Sequence, residues 1–362
     1  MENYQRSNPN IRIPRVGVIY DWGLFKSDVR NDVRNCALFL FLFFAVYMIA
    51  AAVYLSVTTM TQALSDPDLT NLLAPGFSGE TGSEGVMTYL DDPMANIDAG
   101  LMSIICIAAG SCVFFILRKG RFITDLALPS AEPMTPRIFI ILVVITQCVQ
   151  LVYSLIILLI DTLLPEGLSL EEDYASAMDS LFTPIGLLYI ILLGPIFEEL
   201  IFRGAIMGSL RRFGDNFAIL LSSILFGFYH MQILQIPFGF VMGLLLGYVA
   251  VRWSLRASIA LHIVVNGLST LFSDIAGESL LGLVGLFMIA CTVATAIMLI
   301  KWRKAFRIRV NTGTAYFPKT YAYGFSSIAY WVFVAVTGAI GFVLMNLESV
   351  MQALEGFLFA QL

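Results

Sequence analysis

The residues of this chain that could do acid–base chemistry lie inside apolar segments. Its only two histidines are His230 and His262, and both follow closely on an apolar stretch that carries Glu198, Glu199 and Arg203. A charged side chain at the depth of a lipid bilayer costs about 2.5 kcal/mol or more. Because so many costly side chains occur in three neighbouring segments, we expect them to form one buried polar site.

Helical geometry assigns different roles to the adjacent acids. Neighbouring helical residues point about 100° apart, so Glu198 and Glu199 cannot face one cavity equally. Glu199 precedes Arg203 by four residues, which is the favoured order for an ion pair on a helix. This pair leaves Glu198 free for chemistry, and the reverse assignment of the two acids is the main alternative. A plainer interpretation is that the acids end a span at the cytoplasmic face, with Arg203 as an anchor.

Each histidine has a partner at helical spacing. Phe226 precedes His230 by four residues and can pack over its imidazole, while His262 and Asn266 share one helix face. Taken singly, each of these polar residues could be no more than a hydrogen-bonding contact within or between helices. Their joint occurrence beside the two acids favours a catalytic site.

Hydrolysis of a peptide bond is chemistry that this set of side chains can perform. The reaction needs a base for water, donors for the oxyanion and an acid for the leaving amine. Glu198 and His230 could polarise one water molecule, while His262 and Asn266 could donate to the oxyanion. Glu198, His230 and His262 would also make a thermolysin-type zinc set. The HExxH motif is absent, so we favour no cofactor and keep zinc as an alternative.

The composition places the chain in a membrane. Of its 362 residues, 58% are hydrophobic and 13% are charged, whereas soluble domains carry about 25% charged residues. The net charge of -5 offers no basic surface for nucleic acid, so no nucleic-acid partner is expected. We predict an all-α fold, a polytopic bundle of transmembrane helices in contact with the lipid bilayer.

Nine apolar segments are predicted to span the membrane, which takes about 20 apolar residues each. They are 36–58, 98–117, 138–162, 183–207, 216–233, 236–252, 256–273, 279–300 and 326–346. In this topology all 21 lysine and arginine residues lie on one side of the membrane. The positive-inside rule makes that side cytoplasmic, so we expect the N-terminus inside and the C-terminus outside.

These spans divide the chain into four predicted regions. The region 1–35 is a basic cytoplasmic tail, and 36–182 holds the N-terminal helices with their extracytoplasmic loops. The region 183–273 contains every candidate site residue and is the expected helical core. The region 274–362 holds the C-terminal helices and a tail.

Three motifs in the core region resemble those of the CAAX protease and bacteriocin-processing family of intramembrane proteases, also called the CPBP or Abi family. The family motifs EExxxR, FxxxH and HxxxN are matched at Glu198–Arg203, Phe226–His230 and His262–Asn266. The motifs occur in the family's order and with family-like spacing. The resemblance covers 183–273, about a quarter of the chain, and not the flanking spans.

The resemblance implies an α-helical membrane endopeptidase, and the type II CAAX prenyl endopeptidases are the best-known branch of this family. It implies a metal-free glutamate mechanism in a group that was formerly classed with metalloproteases. By motif position, the implied catalytic residues are Glu198 as base, His230 as its partner, and His262 with Asn266 as the oxyanion site. The implied supporting residues are Glu199, Arg203 and Phe226.

We therefore expect an endopeptidase that cleaves a membrane-associated peptide or protein, in the plasma membrane of a bacterium. The prenylated substrate is not carried over, because nothing in the sequence shows that the host prenylates proteins. One alternative is a non-catalytic bacteriocin immunity or scaffold protein with the same fold. Another is an ion-coupled transporter, although no internal repeat supports it. The sequence predicts neither the cleavage site nor the oligomeric state.

Overall fold

A computed structural model describes residues 22–65, 97–117, 132–163, 179–272, 277–312 and 319–345. Within these ranges every regular element is a helix and no strand occurs, so the predicted all-α fold class is confirmed. Most of the predicted tail 1–35 lies outside the described residues, which begin at residue 22.

The described helices are numbered in chain order. They are α1 (Trp22–Ser65), α2 (Ala99–Leu117), α3 (Pro136–Asp161), α4 (Pro184–Phe213), α5 (Asp215–Tyr229), α6 (Gln235–Arg252), α7 (Leu255–Thr270), α8 (Gly277–Thr312), α9 (Thr320–Phe325) and α10 (Ile328–Met345).

Hydroxyl side chains cap the starts of three of these helices. Thr135, Thr183 and Ser254 have extended backbones, and each hydroxyl accepts a hydrogen bond from the N–H three residues further on. A cap of this kind satisfies a donor that the first helical turn leaves unpaired. Pro136 and Pro184 follow the two threonines at the first helical position, where a missing N–H costs nothing.

Six of the described helices are long and apolar enough to cross a membrane, namely α1, α2, α3, α4, α6 and α8. The shorter α5 has 15 residues and a length of about 22 Å, less than the hydrocarbon thickness of about 30 Å. The nine-span count and the cytoplasmic N-terminus therefore stay predictions. Only 11% of the most apolar window of α8 is buried inside the protein, as suits a helix that faces lipid.

The turn between α4 and α5 explains how distant motifs reach one depth. Gly214 ends α4 with a φ of 132°, which glycine adopts readily, and α5 then runs back along α4. Glu198 lies sixteen residues before Gly214 and His230 lies sixteen residues after it. The two arms of the hairpin therefore bring these residues to similar depths, although His230 directly follows the end of its helix and Glu198 lies in mid-helix.

Glycines on one face of α6 allow close packing against α5. Gly239, Gly243 and Gly247 recur every four residues, which aligns them on one side of the helix. A Cβ atom at Gly239 would lie 3.2 Å from the Gly227 Cα, and one at Gly243 would lie 3.0 Å from the Ser223 Cβ. Small residues at such contacts let two backbones approach, so the main chain of α6 lies within reach of side chains on α4.

A core of aromatic residues joins α1, α4, α5 and α10. The Phe202 ring packs edge-on against Phe226 and Tyr229, with both centroid distances at 5.1 Å. Tyr229 also packs on Phe43 of α1, with ring centroids 5.6 Å apart. These contacts hold the end of α5, and with it His230, against the rest of the bundle.

Candidate active site

The helix that carries both acids is not regular. Within α4, π-helical turns at Tyr189–Leu193 and Leu200–Met207 flank the α-helical segment Gly194–Glu199. In a π turn each backbone hydrogen bond spans five residues, one more than in an α-helix, and such turns are frequent at functional sites. Gly194 and Pro195 favour the irregularity, because glycine is a poor helix former and proline lacks a backbone donor.

The irregular turn leaves the Ile190 carbonyl of α4 without a backbone donor, and a side chain of α7 bonds it instead. The Gly194 N–H donates to the Tyr189 carbonyl, five residues back. If the next hydrogen bond had the same spacing, the N–H of residue 195 would donate to the Ile190 carbonyl. Residue 195 is proline, which has no N–H. Asn266 supplies the missing donor, since its Nδ2 lies 3.0 Å from the Ile190 carbonyl oxygen. The Asn266 amide thereby joins α7 to the helix of the acids.

Glu199 is the centre of the polar contacts. Its side chain is 0% exposed, and its Oε1 lies 2.9 Å from Arg203 Nη1 and 3.0 Å from His262 Nδ1. Ser258 Oγ lies 2.6 Å from Oε2, closer than the 3.0 Å that separates it from the Leu246 carbonyl, so its single proton favours the carboxylate. The Arg203 contact is an ion pair without an aligned hydrogen bond, because Nη1 makes none to the described residues. Glu199 is thus fully engaged and closed to a substrate.

Glu198 lies near the Nε2 side of the His262 imidazole, whereas Glu199 bonds its Nδ1. A carboxylate can only accept, so His262 carries a proton on Nδ1 and directs Nε2 towards Glu198. The Nε2 to Oε2 distance is 3.7 Å, which is within ion-pair range but too long for a hydrogen bond. The Glu198 side chain keeps 13% of its surface exposed. Glu198 can therefore be reached by another molecule, whereas Glu199 cannot.

The three motifs converge on the ring of Phe226. The Arg203 guanidinium lies over this ring at 4.3 Å, within the range of a cation–π contact. The His230 ring is 4.9 Å and the His262 ring 6.0 Å from it, both edge to face. Arg203 also donates through Nη2 to the Gly243 carbonyl at 3.3 Å, which the close approach of α6 permits.

His230 is held within its own motif. Its Nδ1 donates to the Phe226 carbonyl at 2.8 Å, so Nε2 carries the lone pair of the neutral ring. Within the described part of the chain, the histidine that lies within ion-pair range of Glu198 is His262 and not His230. A water molecule shared by Glu198 and His230 therefore stays a prediction.

Three contacts of the site were not predicted from the sequence. Ser258, which bonds Glu199, precedes His262 by four residues, so its position on the same face of α7 was open to detection. The use of the Ile190 and Gly243 carbonyls as acceptors could not be predicted from the sequence. A backbone carbonyl becomes available only through the local hydrogen-bond pattern and packing of the helices.

The zinc alternative requires Glu198, His230 and His262 to meet at one point. Among the residues that the structure describes, no group of three histidine, cysteine, aspartate or glutamate side chains is gathered closely enough to hold a metal ion. The donor set therefore does not fit zinc in this arrangement, and we assign no step to a metal.

Comparisons with known proteins bear on this same part of the chain. No curated protein and no solved structure matches it. A family model does match, over a segment that includes all three motifs and every candidate site residue. Residues 180–268 match the model described as Rce1-like, type II CAAX prenyl endopeptidase, so the resemblance to that branch is confirmed over this segment.

Proposed function

We propose that this chain is an intramembrane endopeptidase that hydrolyses a peptide bond of a membrane-associated protein or peptide. The observation that carries the proposal is that Glu198 and Glu199, which are adjacent on α4, both lie beside the imidazole of His262 on α7. The match of residues 180–268 to a peptidase family supports the same reaction class. The wider CPBP or Abi assignment and a bacterial plasma membrane stay predictions.

Glu198 is the proposed general base. Its carboxylate is partly exposed, whereas that of Glu199 is buried against Arg203, His262 and Ser258. Glu199 then serves two supporting purposes, since it balances the buried guanidinium and fixes the orientation of His262. A carboxylate that orients an imidazole in this way is a recurring device of hydrolytic enzymes.

The proposed reaction consumes one water molecule. Glu198 takes a proton from water while the oxygen bonds to the carbonyl carbon of the substrate, which gives a tetrahedral oxyanion. The carbon–nitrogen bond then breaks as the nitrogen receives a proton from Glu198, and the products are a carboxylic acid, which passes its proton to the released amine, and that amine. His230 Nε2 is the proposed second contact of the water molecule.

His262 and Asn266 are the proposed donors to the oxyanion. The Asn266 amide has two N–H groups, and the Ile190 carbonyl uses one of them. His262 donates through Nε2 when that nitrogen is protonated together with Nδ1. Donors placed before the reaction starts stabilise developing charge without reorganisation.

The location of the site supports the proposed substrate class. The site residues lie on α4, α5 and α7, of which α4 is long and apolar enough to cross a membrane. The proposed substrate therefore reaches Glu198 from the bilayer, as a lipid-anchored or membrane-spanning chain can. A prenyl group is one such anchor and is not itself part of this proposal.

The decisive experiment compares peptide termini in membranes of cells that express the native chain or Glu198→Gln at equal levels. Glutamine keeps the size of the side chain and removes the base, so we expect termini that depend on the native chain to vanish. Glu132→Gln is the matched control, because it removes an acid that pairs with Arg252 outside the site. Identical termini in all three strains would favour a non-catalytic immunity or scaffold protein.

A second arm tests the metal question on the purified protein. We expect cleavage of the identified substrate to persist after treatment with a zinc chelator. Loss of cleavage that added zinc restores would contradict the metal-free mechanism and leave the peptidase assignment standing.

A further inference from the structure

A cavity whose lining includes none of the candidate site residues lies between the start of α1 and the start of α10. It has a volume of about 340 Å³ and lies beside the joint that connects α9 to α10. Its walls are formed by Lys26, Ser27, Arg30, Asn31, Arg34, Ser327, Ile328 and Ala329. None of these residues has a part in the proposed peptidase mechanism.

Three cations line one side of this cavity. Lys26, Arg30 and Arg34 recur every four residues, which places them along one face of α1, and all three side chains are exposed. The ion pairs of the described residues involve other arginines, and the nearby Asp32 is held by Arg212 at 2.6 Å. The basic face is thus not neutralised by the described acids.

The opposite side of the cavity is the first turn of an 18-residue helix. The first N–H groups of such a helix have no partner within it, and they carry a partial positive charge. Ser327 stands directly before α10, where a serine hydroxyl usually caps these donors. Its side-chain oxygen is buried in a residue only 1% exposed and makes no hydrogen bond to the described residues. A buried hydroxyl without a partner costs about 1–3 kcal/mol unless something binds it.

The surroundings indicate where an anion would come from. Ile328 at the cavity is 70% exposed, and Leu38, one turn beyond Arg34, is 47% exposed. Trp331, whose Nε1 donates to the Phe325 carbonyl at 2.7 Å, is of the type that marks membrane–water interfaces. A free anion would make no favourable contact with this apolar border, whereas the acyl chains of a lipid would pack against it.

We propose that this cavity binds the phosphate headgroup of an anionic lipid. The three cations and the helix start contact the phosphate, the Ser327 hydroxyl donates to it, and the acyl chains extend along the apolar border. Phosphate at a helix N-terminus beside basic side chains is a favourable arrangement. The site does not depend on the proposed peptidase activity.

The test measures lipid retention by the purified full chain in detergent, using native mass spectrometry. The probes are phosphatidylglycerol and phosphatidylcholine with identical acyl chains, and inorganic phosphate as a competitor. We expect the native chain to retain phosphatidylglycerol in preference to phosphatidylcholine. The variant Lys26→Gln/Arg30→Gln/Arg34→Gln should weaken retention by roughly 100-fold, since each basic residue contributes about fivefold.

The matched control is Arg137→Gln/Arg256→Gln/Lys301→Gln, which removes the same charge from exposed residues outside the cavity. It should retain phosphatidylglycerol like the native chain. Ser327→Ala keeps every charge and should weaken retention severalfold, which preserves the test if the triple variant does not fold. Equal retention of both lipids, or equal loss in both triple variants, would overturn the proposal. Displacement of the lipid by millimolar inorganic phosphate would reassign the cavity to free phosphate.

Discussion

His262 donates through Nδ1 to Glu199 at 3.0 Å, and the same carboxylate oxygen lies 2.9 Å from the buried Arg203. One oxygen therefore connects the helix of the acids to the helix of the second histidine. Glu199 therefore both neutralises the buried Arg203 and orients the His262 ring, whereas Glu198 does neither. The two adjacent acids should respond differently to the same substitution.

Glu199→Gln should destabilise the protein, because it leaves Arg203 buried without a counter-charge. Loss of one partner of a buried ion pair costs about 3–5 kcal/mol. Glu198→Gln should leave the unfolding temperature close to that of the native chain, since Glu198 is partly exposed and outside the Arg203 pair. Thermal unfolding of both variants in one detergent checks this difference.

A double variant separates charge balance from other effects of the substitution. Glu199→Gln/Arg203→Met removes both charges and should recover part of the lost stability, as replacement of a whole buried ion pair by apolar residues often does. If Glu199→Gln is no less stable than Glu198→Gln, the structural assignment of the pair is wrong.

Ser258→Ala should reduce stability through the contact with Glu199. A hydrogen bond to a charged group contributes about 1.5–3 kcal/mol, more than a bond between neutral groups. Ser222→Ala is the matched control, because its buried hydroxyl bonds the Ile219 carbonyl in its own helix at 3.1 Å. A smaller loss is expected there, and equal unfolding midpoints for the two variants would contradict the assignment of Ser258.

The fold could be predicted largely from hydropathy, because a bilayer imposes length and composition on every span. The end of α5 could not. The predicted span 216–233 continues for three residues beyond His230, yet the helix ends at Tyr229. Met231 has a φ of 49°, a left-handed conformation that methionine rarely adopts, so its sequence carries no sign of the turn.

The site was predictable where its contacts are local. Glu199 and Arg203 are four residues apart on one helix, so their ion pair follows from spacing alone. Which histidine meets the acids depends instead on how α7 packs against α4. That packing brings His262 to both acids, whereas His230 bonds its own helix, and no spacing within either motif distinguishes the two.

Gln147→Met should stabilise the protein. Gln147 on α3 is 0% exposed, and neither its Nε2 nor its Oε1 hydrogen-bonds to any described residue. Methionine has a similar volume and removes an unsatisfied amide, so we expect a gain of about 1–3 kcal/mol. Gln150→Met, one turn away, should bring a smaller gain, because Gln150 Nε2 donates to Ser269 Oγ at 2.8 Å and only its Oε1 lacks a hydrogen bond to the described residues. A lower unfolding midpoint for Gln147→Met would mean that a water molecule or ligand satisfies the amide.

Asn266 and Pro195 should be energetically coupled although they do not bond each other. Asn266→Ala leaves the Ile190 carbonyl without its donor, at a cost of about 1–3 kcal/mol. In a Pro195→Ala background residue 195 regains an N–H that can reach that carbonyl in the π register. We therefore expect Asn266→Ala to cost less stability in that background than in the native chain.

A double-mutant cycle on the unfolding free energy measures this coupling, which should fall in the range of about 0.5–3 kcal/mol. Pro184→Ala replaces Pro195→Ala as the control background, because Pro184 starts α4 at a position that needs no donor. There Asn266→Ala should cost as much as in the native chain. Strict additivity in both backgrounds would show that the Asn266 amide does not substitute for the missing proline N–H. A coupling confined to Pro195→Ala would show that the break in α4 and the polar residue on α7 act as one unit.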